Sequence, residues 1–565
     1  MKAFKKRNII IGTAFCILLS INVFLLLSSN VPVQNPHEGN LLQSASPDGI
    51  IITNANISSV SSAGDGSIGT PYVISGLEID TTDGTGVKFD GITSYFILEN
   101  STIKASTYSA YIDFCSADHA TVQNNTLTAS LGIGGINSDG ITVFNNTIHM
   151  NYTTSFSNCD NLNFTANVVY IESETGDMLN IYQHNITFKD NIVHGKSSNI
   201  RLDDCPSANI TGNVLYNASF GMDDTSSVNA QGYNFSNNQI NGKPVGFFLN
   251  MQSTSIQGNT YGQVILVNCS DMDIDQYEIS DVAKAIQVIE GKGVTINDVT
   301  IYAKKAICIE NSIDVEVKNS KLNCMQYGIN CENLTGSFID NNYIQNAPNG
   351  IYIDESADII LSNNVIHHSD SESIYIYADN TTILKNVIVT NITENYDGAT
   401  IAIDGGTGNI IYHNILIGLG NTSAILAYDF GTGTIWYNAT LQEGNYWSNW
   451  NGSGSYTILL SGEEDLYPLA GDIDGDGLSE MVEIFDHGTN PFLEDSDGDS
   501  YSDSDEIAVG SDPLDPTSFP SMFDLSWAWW LIIIIGAGVA FLFVAIKMEW
   551  ITIKKKRDAV SKKIK

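Results

Sequence analysis

From Leu98 to Ile411 the chain alternates apolar and polar positions in a phrase that returns about every 22 residues. Each phrase opens on an apolar anchor: Leu98, Val122, Val143, Phe164, Phe188, Ile210, Phe235, Ile256, Ile274, Ile296, Val317, Ile339, Leu361, Ile383 and Ile411. Three positions on, most anchors are followed by asparagine: Asn125, Asn146, Asn167, Asn191, Asn213, Asn238, Asn259, Asn342, Asn364, Asn386 and Asn414. Around the anchors the text is short and β-branched with period two, as in Val143-Phe144-Asn145-Asn146-Thr147-Ile148, and no helical window separates the phrases. Upstream of many anchors lies a further run with two inward positions: Ile286 and Val288, Ile307 and Ile309, Ile329 and Cys331, Ile351 and Ile353, Ile401 and Ile403. Two or three short strands per turn predict an all-β fold, a right-handed parallel β-helix of about 15 or more coils, rather than a leucine-rich repeat.

Asparagine suits such a coil twice over. At a sharp turn it tolerates left-handed dihedrals, and its amide can hydrogen-bond the equivalent amide one coil above and below. An internal amide ladder is expected, running through a rod of roughly 70 Å if coils stack about 4.8 Å apart. Tyr277, Val299 and Ser320 stand where the asparagine should be in three consecutive coils, which predicts a different turn there. Two passages frame the repeats: Gly69-Thr70-Pro71-Tyr72-Val73-Ile74 with Leu77 and Ile79, and Gly444-Asn445-Tyr446-Trp447-Ser448-Asn449-Trp450 followed by Asp465-Leu466-Tyr467-Pro468-Leu469. With them, residues 45 to 470 resemble the β-helix repeats of the NosD-like family, part of a wider group of carbohydrate-binding proteins and sugar hydrolases. The resemblance implies a first coil and a C-terminal cap at those passages; it implies no single activity, because one fold hosts many.

The two ends place the rod at a membrane. Lys2, Lys5, Lys6 and Arg7 precede an apolar stretch from Ile9 to Leu27, which reads as a signal peptide, or as a signal anchor if it is not cleaved. Trp527 to Ile546 is a second apolar stretch, followed by Lys547, Lys554, Lys555, Lys556, Arg557, Lys562, Lys563 and Lys565. It predicts a single C-terminal transmembrane helix with a cytoplasmic tail, and everything between the two stretches outside the cell membrane. The expected organisation is a signal segment at 1–30, an extracellular β-helix at 31–470, a stalk at 471–520, a transmembrane helix at 525–546 and a basic tail at 547–565.

The whole chain has a formal net charge of −39, and its acidic excess sits in the part between, where no Lys or Arg occurs between Lys385 and Lys547. That balance excludes nucleic acid as a partner and favours divalent cations. Asn56, Asn151, Asn217, Asn268, Asn391 and Asn438 head N-glycosylation triplets, many of which an Asn- and Thr-rich ladder would generate by accident.

Sharper chemistry stands just before the membrane. Asp472, Asp474, Asp476, Glu480 and Glu483 reproduce the spacing of oxygen ligands in a calcium loop, with Gly477 at the turn position. Asp495, Asp497, Asp499, Asp503 and Glu506 repeat it, with Ser500 in place of the glycine and Tyr501 offering a carbonyl. Carboxylates on alternate residues of a tight loop supply the hard oxygens that Ca2+ requires. With Gly488-Thr489-Asn490-Pro491 and Gly510-Ser511-Asp512-Pro513, the segment resembles prokaryotic thrombospondin type 3 repeats, which implies calcium ordering of an acidic stalk.

Other chemistries are thinner. The best carboxylate cluster for a polysaccharide hydrolase or lyase is Arg201 with Asp203 and Asp204, then Asp223 and Asp224 a coil later, with His184 and His194 upstream. Inverting hydrolysis would need two of these carboxyl groups about 6.5 to 9.5 Å apart. Copper would need convergent imidazole or sulfur, but His149-Met150 and His367-His368 lie on strands, where neighbours point to opposite faces. The cysteines are scattered in the coils as small core fillers, with Cys324 and Cys331 near enough in sequence to bridge a turn. The whole chain reads as a membrane-anchored surface protein for recognition or adhesion. Its expected partners are cell-surface or extracellular glycans, or envelope proteins, with a glycan-degrading enzyme as the alternative.

Overall fold

A computed structural model describes residues 49–518 and 526–561, apart from 83, 114, 116–119, 174–176, 182–184, 203–204, 223–225, 370, 391–398 and 420–424. The signal segment at 1–30 lies outside the described residues. The chain winds as a parallel β-solenoid. A full coil carries three short strands, as in Thr142–Phe144, Thr147–Met150 and Thr154–Ser157. Each pairs in parallel with its equivalents above and below: Val143 stands opposite Val122 and Phe164, Ile148 opposite Leu127 and Val169, and Phe156 opposite Gly135 and Ile181. The anchors are buried in one continuous core, except for the partly buried Phe235.

The amide ladder is present, in two runs. Asn125 Nδ2 donates to Asn146 Oδ1 at 3.0 Å, and the same bond continues through Asn167, Asn191 and Asn213 to Asn238. The second run joins Asn342, Asn364, Asn386, Asn414 and Asn445 at 2.9–3.0 Å. Ser101 caps the first run, its N–H donating to Asn125 Oδ1 at 2.9 Å. The expected C-terminal cap closes the second: buried Asp465 accepts at Oδ2 from Asn445 N at 2.7 Å and from Trp447 Nε1 at 2.9 Å.

Two expectations need correction. The asparagine of the ladder is not the left-handed residue: that conformation falls one position earlier, at Asn124 (φ 57°), Asn145 (φ 53°), Asn341 (φ 53°) and Asn363 (φ 52°). The two properties that make asparagine suitable are thus divided between neighbours, one turning the chain and the next bonding along the axis. Asn259 takes no part in the ladder; it is exposed, itself left-handed, and its side-chain Oδ1 accepts from Glu278 N.

The irregular coils mark a seam. Gln239–Ile240 turns back antiparallel on Lys243–Leu249, and the edge of Val214–Gly221 is met by side chains. Gln263 accepts from Phe220 N at 3.1 Å and donates to Phe220 O at 2.6 Å. Gln287 accepts from Met222 N at 3.0 Å and donates to Phe220 O at 2.7 Å. Two buried amides therefore satisfy a strand edge that the register jump would otherwise leave unpaired.

After the rod and the acidic repeats, one helix spans Ser526–Ser561. Among the described residues it is the one long and apolar enough to cross a membrane. It continues through Lys547 and Arg557, so its roughly 54 Å is longer than the roughly 30 Å of a bilayer core.

Candidate functional site

The acidic repeats form the most chemically defined site. Carboxylate oxygens of Asp472, Asp474 and Asp476 lie within 4.8 Å of one another, as do those of Asp495, Asp497 and Asp499. Backbone turns hold them: Leu478 N donates to Asp476 Oδ1 at 2.7 Å, and Tyr501 N to Asp499 Oδ1 at 2.9 Å. Gly477 takes a left-handed φ of 102°, and Ser500, at the same loop position, takes 83°. Behind each loop a short helix brings up glutamates, at Glu480–Val482 and at Asp503–Val509.

Glu480, Glu483 and Glu506 are fully buried, and among the described residues their carboxylate oxygens accept no well-formed hydrogen bond. One oxygen each of Asp474, Asp497 and Asp499 is in the same state. Burial, then repulsion from Asp474, Asp476 and Glu480, pushes Glu483 up to about 8, and burial likewise raises Asp474 and Glu480. Buried carboxylates without donors are costly unless a cation compensates them. Asp503 is used differently from its counterpart Glu480, because its oxygens accept from Ser496 N at 2.9 Å and Ser496 Oγ at 2.6 Å. The next residue ties the loops together: Ser504 N donates to Asp476 Oδ2 at 3.1 Å and Ser504 Oγ to Asp476 O at 2.6 Å.

This module lies along the flank of the rod. Ile473, Ile484 and Phe492 pack on Val387, Val389, Ile415 and Ile417 of the last coils. On that strip the alternation lapses, since Val387-Ile388-Val389 and Ile415-Leu416-Ile417 are apolar on both faces, while Thr147-Ile148-His149 is not. A buried outward strip needs a cover, and residues beside the clustered carboxylates supply it.

A second feature runs along the outside of the third strands. Tyr352 and Tyr375 stack at 4.4 Å with ring planes 5° apart, Tyr327 meets Tyr352 edge-on at 5.5 Å, and Tyr428 is two coils beyond Tyr375. Tyr375 Oη donates to Asp404 Oδ2 at 2.8 Å, and Asp354 and Glu372 lie beside this column. Burial raises all three phenols, Tyr352, Tyr375 and Tyr428, and nearby carboxylates add to it, so their hydroxyls stay protonated donors. The sequence reading missed these tyrosines; the signal was the residue between paired inward isoleucines, as in Ile351-Tyr352-Ile353 and Ile374-Tyr375-Ile376.

Of the catalytic candidates, Arg201 occupies an outward position on the third strand of its coil, in register with Asn180 and Gly221. Asp203, Asp204, Asp223, Asp224 and His184 lie outside the described residues. His194 instead joins a stack of rings on the second sheet, His149–Tyr170–His194–Tyr216, with centroids 4.7–4.9 Å apart. Met150 is buried beneath partly exposed His149, as strand alternation requires. The seven cysteines of the coils are buried free thiols, so the bridge considered between Cys324 and Cys331 does not form; burial pushes Cys324 up to about 12 and Cys159 to about 11.

Residues 261–452 match the family described as periplasmic copper-binding protein (NosD), and residues 472–493 and 495–516 each match the bacterial TSP3 repeat. No curated protein matches the chain. Among solved structures, DFA-IIIase from Arthrobacter chlorophenolicus is 13% identical with a TM-score of 0.25, over 64% of this chain and 78% of that one. A tailspike protein of E. coli bacteriophage HK620 in complex with hexasaccharide is 12% identical with a TM-score of 0.22, over 70% and 71%. The alginate lyase AlyF-OU02 is 11% identical with a TM-score of 0.22, over 74% and 89%. Among the described residues of the matched segment no convergent set of His and Cys donors offers a copper site. Cys269, Cys308, Cys324 and Cys331 are buried, with thiols raised by that burial, and the His413 imidazole is engaged by Glu443 at 2.6 Å. Among the described residues the convergent groups are the two aspartate triads, whose hard oxygens suit calcium.

Proposed function

We propose that this NosD-like parallel β-helix with C-terminal TSP3 repeats is a membrane-tethered surface protein that recognises carbohydrate, with Ca2+ ordering the module between rod and membrane. The observation that carries the recognition reading is the outward column of Tyr352, Tyr375 and Tyr428 set among Asp354, Glu372 and Asp404. Aromatic faces stack on the apolar faces of sugar rings, and flanking carboxylates and phenols bond their hydroxyls. The helix at Ser526–Ser561 with its basic end supports a single span, tail inside and rod outside. In the calcium module, Asp472, Asp474, Asp476, Glu480 and Glu483 would hold one ion, and Asp495, Asp497, Asp499 and Glu506 the other, with Asp503 supporting the second loop through Ser496.

The test is a glycan-binding screen on the full chain in detergent, with and without calcium. Each retained glycan is then assayed for new reducing ends and unsaturated products. Binding without turnover is expected, weakened roughly tenfold in Tyr375→Ala. Turnover would replace this reading with that of a glycan hydrolase or lyase, and silence in both assays would leave a structural envelope rod.

The raised Glu483 carboxyl adds a pH signature. At pH 7 the metal-free group holds a proton that the cation must displace, so calcium binding should release protons and tighten as pH rises toward about 8. Calorimetry in buffers of different ionisation enthalpy measures this directly. A calcium affinity flat between about pH 6 and 8 would show that Glu483 is not a ligand.

A further inference from the structure

We propose that the cleft between the flank of the rod and the calcium module is a second saccharide subsite, selective for acidic, uronate-bearing sugars. The inference rests on the glycan-recognition reading for its class of ligand and on the docked module for its walls. The cleft has a volume of about 780 Å³, within the roughly 300–1,000 Å³ of small-ligand sites. One wall is built from Asn341, Tyr343, Asn363, His367 and Lys385 of successive coils, and the other from the segment between the two calcium loops, Gly488 to Leu493.

Lys385 is the unexpected member. It occupies the left-handed turn position (φ 53°) that Asn341 and Asn363 fill in the two coils above. Asparagine is at home in that conformation, whereas a lysine costs roughly 1–2 kcal/mol there, so a cation is held where a cheaper residue serves elsewhere. It is also the last cation before the membrane-proximal lysines in a strongly acidic chain, and its ammonium forms no ion pair among the described residues. The carboxylate of the lining, Asp340, is already engaged, with Oδ1 accepting from Ser362 Oγ at 2.6 Å and Asn363 Nδ2 at 2.7 Å. Across the cleft, Thr489 Oγ1 is buried without a hydrogen-bond partner.

Together these groups match an acidic sugar. Lys385 answers its carboxylate, Thr489 and the Asn341 and Asn363 amides its hydroxyls, and the Tyr343 ring, 40% exposed and 5.7 Å from His367, its ring face. Val365, Val387, Ile484 and Phe492 supply apolar contact below. Because one wall runs from ligand Glu483 to ligand Asp495, binding should depend on the module being loaded.

Tetragalacturonate and neutral galactotetraose, titrated calorimetrically into the calcium-loaded full chain, test the proposal. The acidic sugar is expected to bind more tightly, to lose at least about tenfold in Lys385→Gln, and to recover in Lys385→Arg, with the neutral sugar unmoved. Thr489→Val should weaken the acidic sugar severalfold while calcium affinity, measured in parallel, stays unchanged. Equal binding of both sugars, equal binding by Lys385→Gln, or preference for an acidic peptide would each overturn it. A sugar response governed by Tyr375→Ala and indifferent to Lys385→Gln would remove this subsite and leave the recognition reading standing.

Discussion

Chelating calcium from the full chain is expected to strip order from residues 472–516 while the coils keep theirs. Without a cation, Glu480, Glu483 and Glu506 are buried with six carboxylate oxygens that accept no well-formed hydrogen bond among the described residues, beside triads of aspartates packed within 4.8 Å. Such a cluster repels itself and has little core of its own to oppose the repulsion. With calcium at about a thousand times its dissociation constant, each filled loop gains roughly 4 kcal/mol. Because Ser504 bonds to Asp476, emptying one loop should loosen the other. Loss of the module would also bare Val387, Val389, Ile415 and Ile417. Hydrogen exchange with and without chelator reads both effects at once. Unchanged protection at 472–516 would mean that the carboxylates are held by something other than a metal.

Asn386→Ala is expected to be among the most damaging substitutions in the rod, at about 3–5 kcal/mol. Asn386 Nδ2 donates to Leu361 O at 3.0 Å and Asn414 Oδ1 at 2.9 Å, and its Oδ1 accepts from Asn364 N at 2.9 Å and Asn364 Nδ2 at 3.0 Å. Truncation leaves several buried partners unsatisfied in three coils. Asn363→Ala, next to the ladder and exposed, loses the left-handed preference and an outer bond to Asp340, so about 1 kcal/mol is expected. Denaturant midpoints of the two variants measure the difference, with exchange rates in residues 339–414 showing whether the damage stays local, as neighbour-coupled coils require. Similar midpoints would remove the ladder from the forces that hold the solenoid.

Much of this architecture could be read in the chain because a solenoid is local. Each coil touches only the next, so the spacing of Val143, Phe164 and Phe188 carries the strand register, and the asparagine three residues on carries the axial bonds. The carboxylate clusters of the two acidic loops are legible for the same reason, their geometry being set within a dozen residues. The finer division of labour was not: which of Asn145 and Asn146 turns the chain depends on backbone dihedrals that the letters do not distinguish.

Local sequence therefore decided the fold, the cap and the clustering of carboxylates in the two acidic loops, since all three are contacts between near neighbours or between successive coils. Tertiary structure alone decided two things. Gln263 and Gln287 complete a strand edge at Phe220, and Ile484 and Phe492 close onto valines about a hundred residues earlier to form the cleft around Lys385. Those arrangements join residues whose separation in sequence follows no period, and only the folded chain brings them into contact.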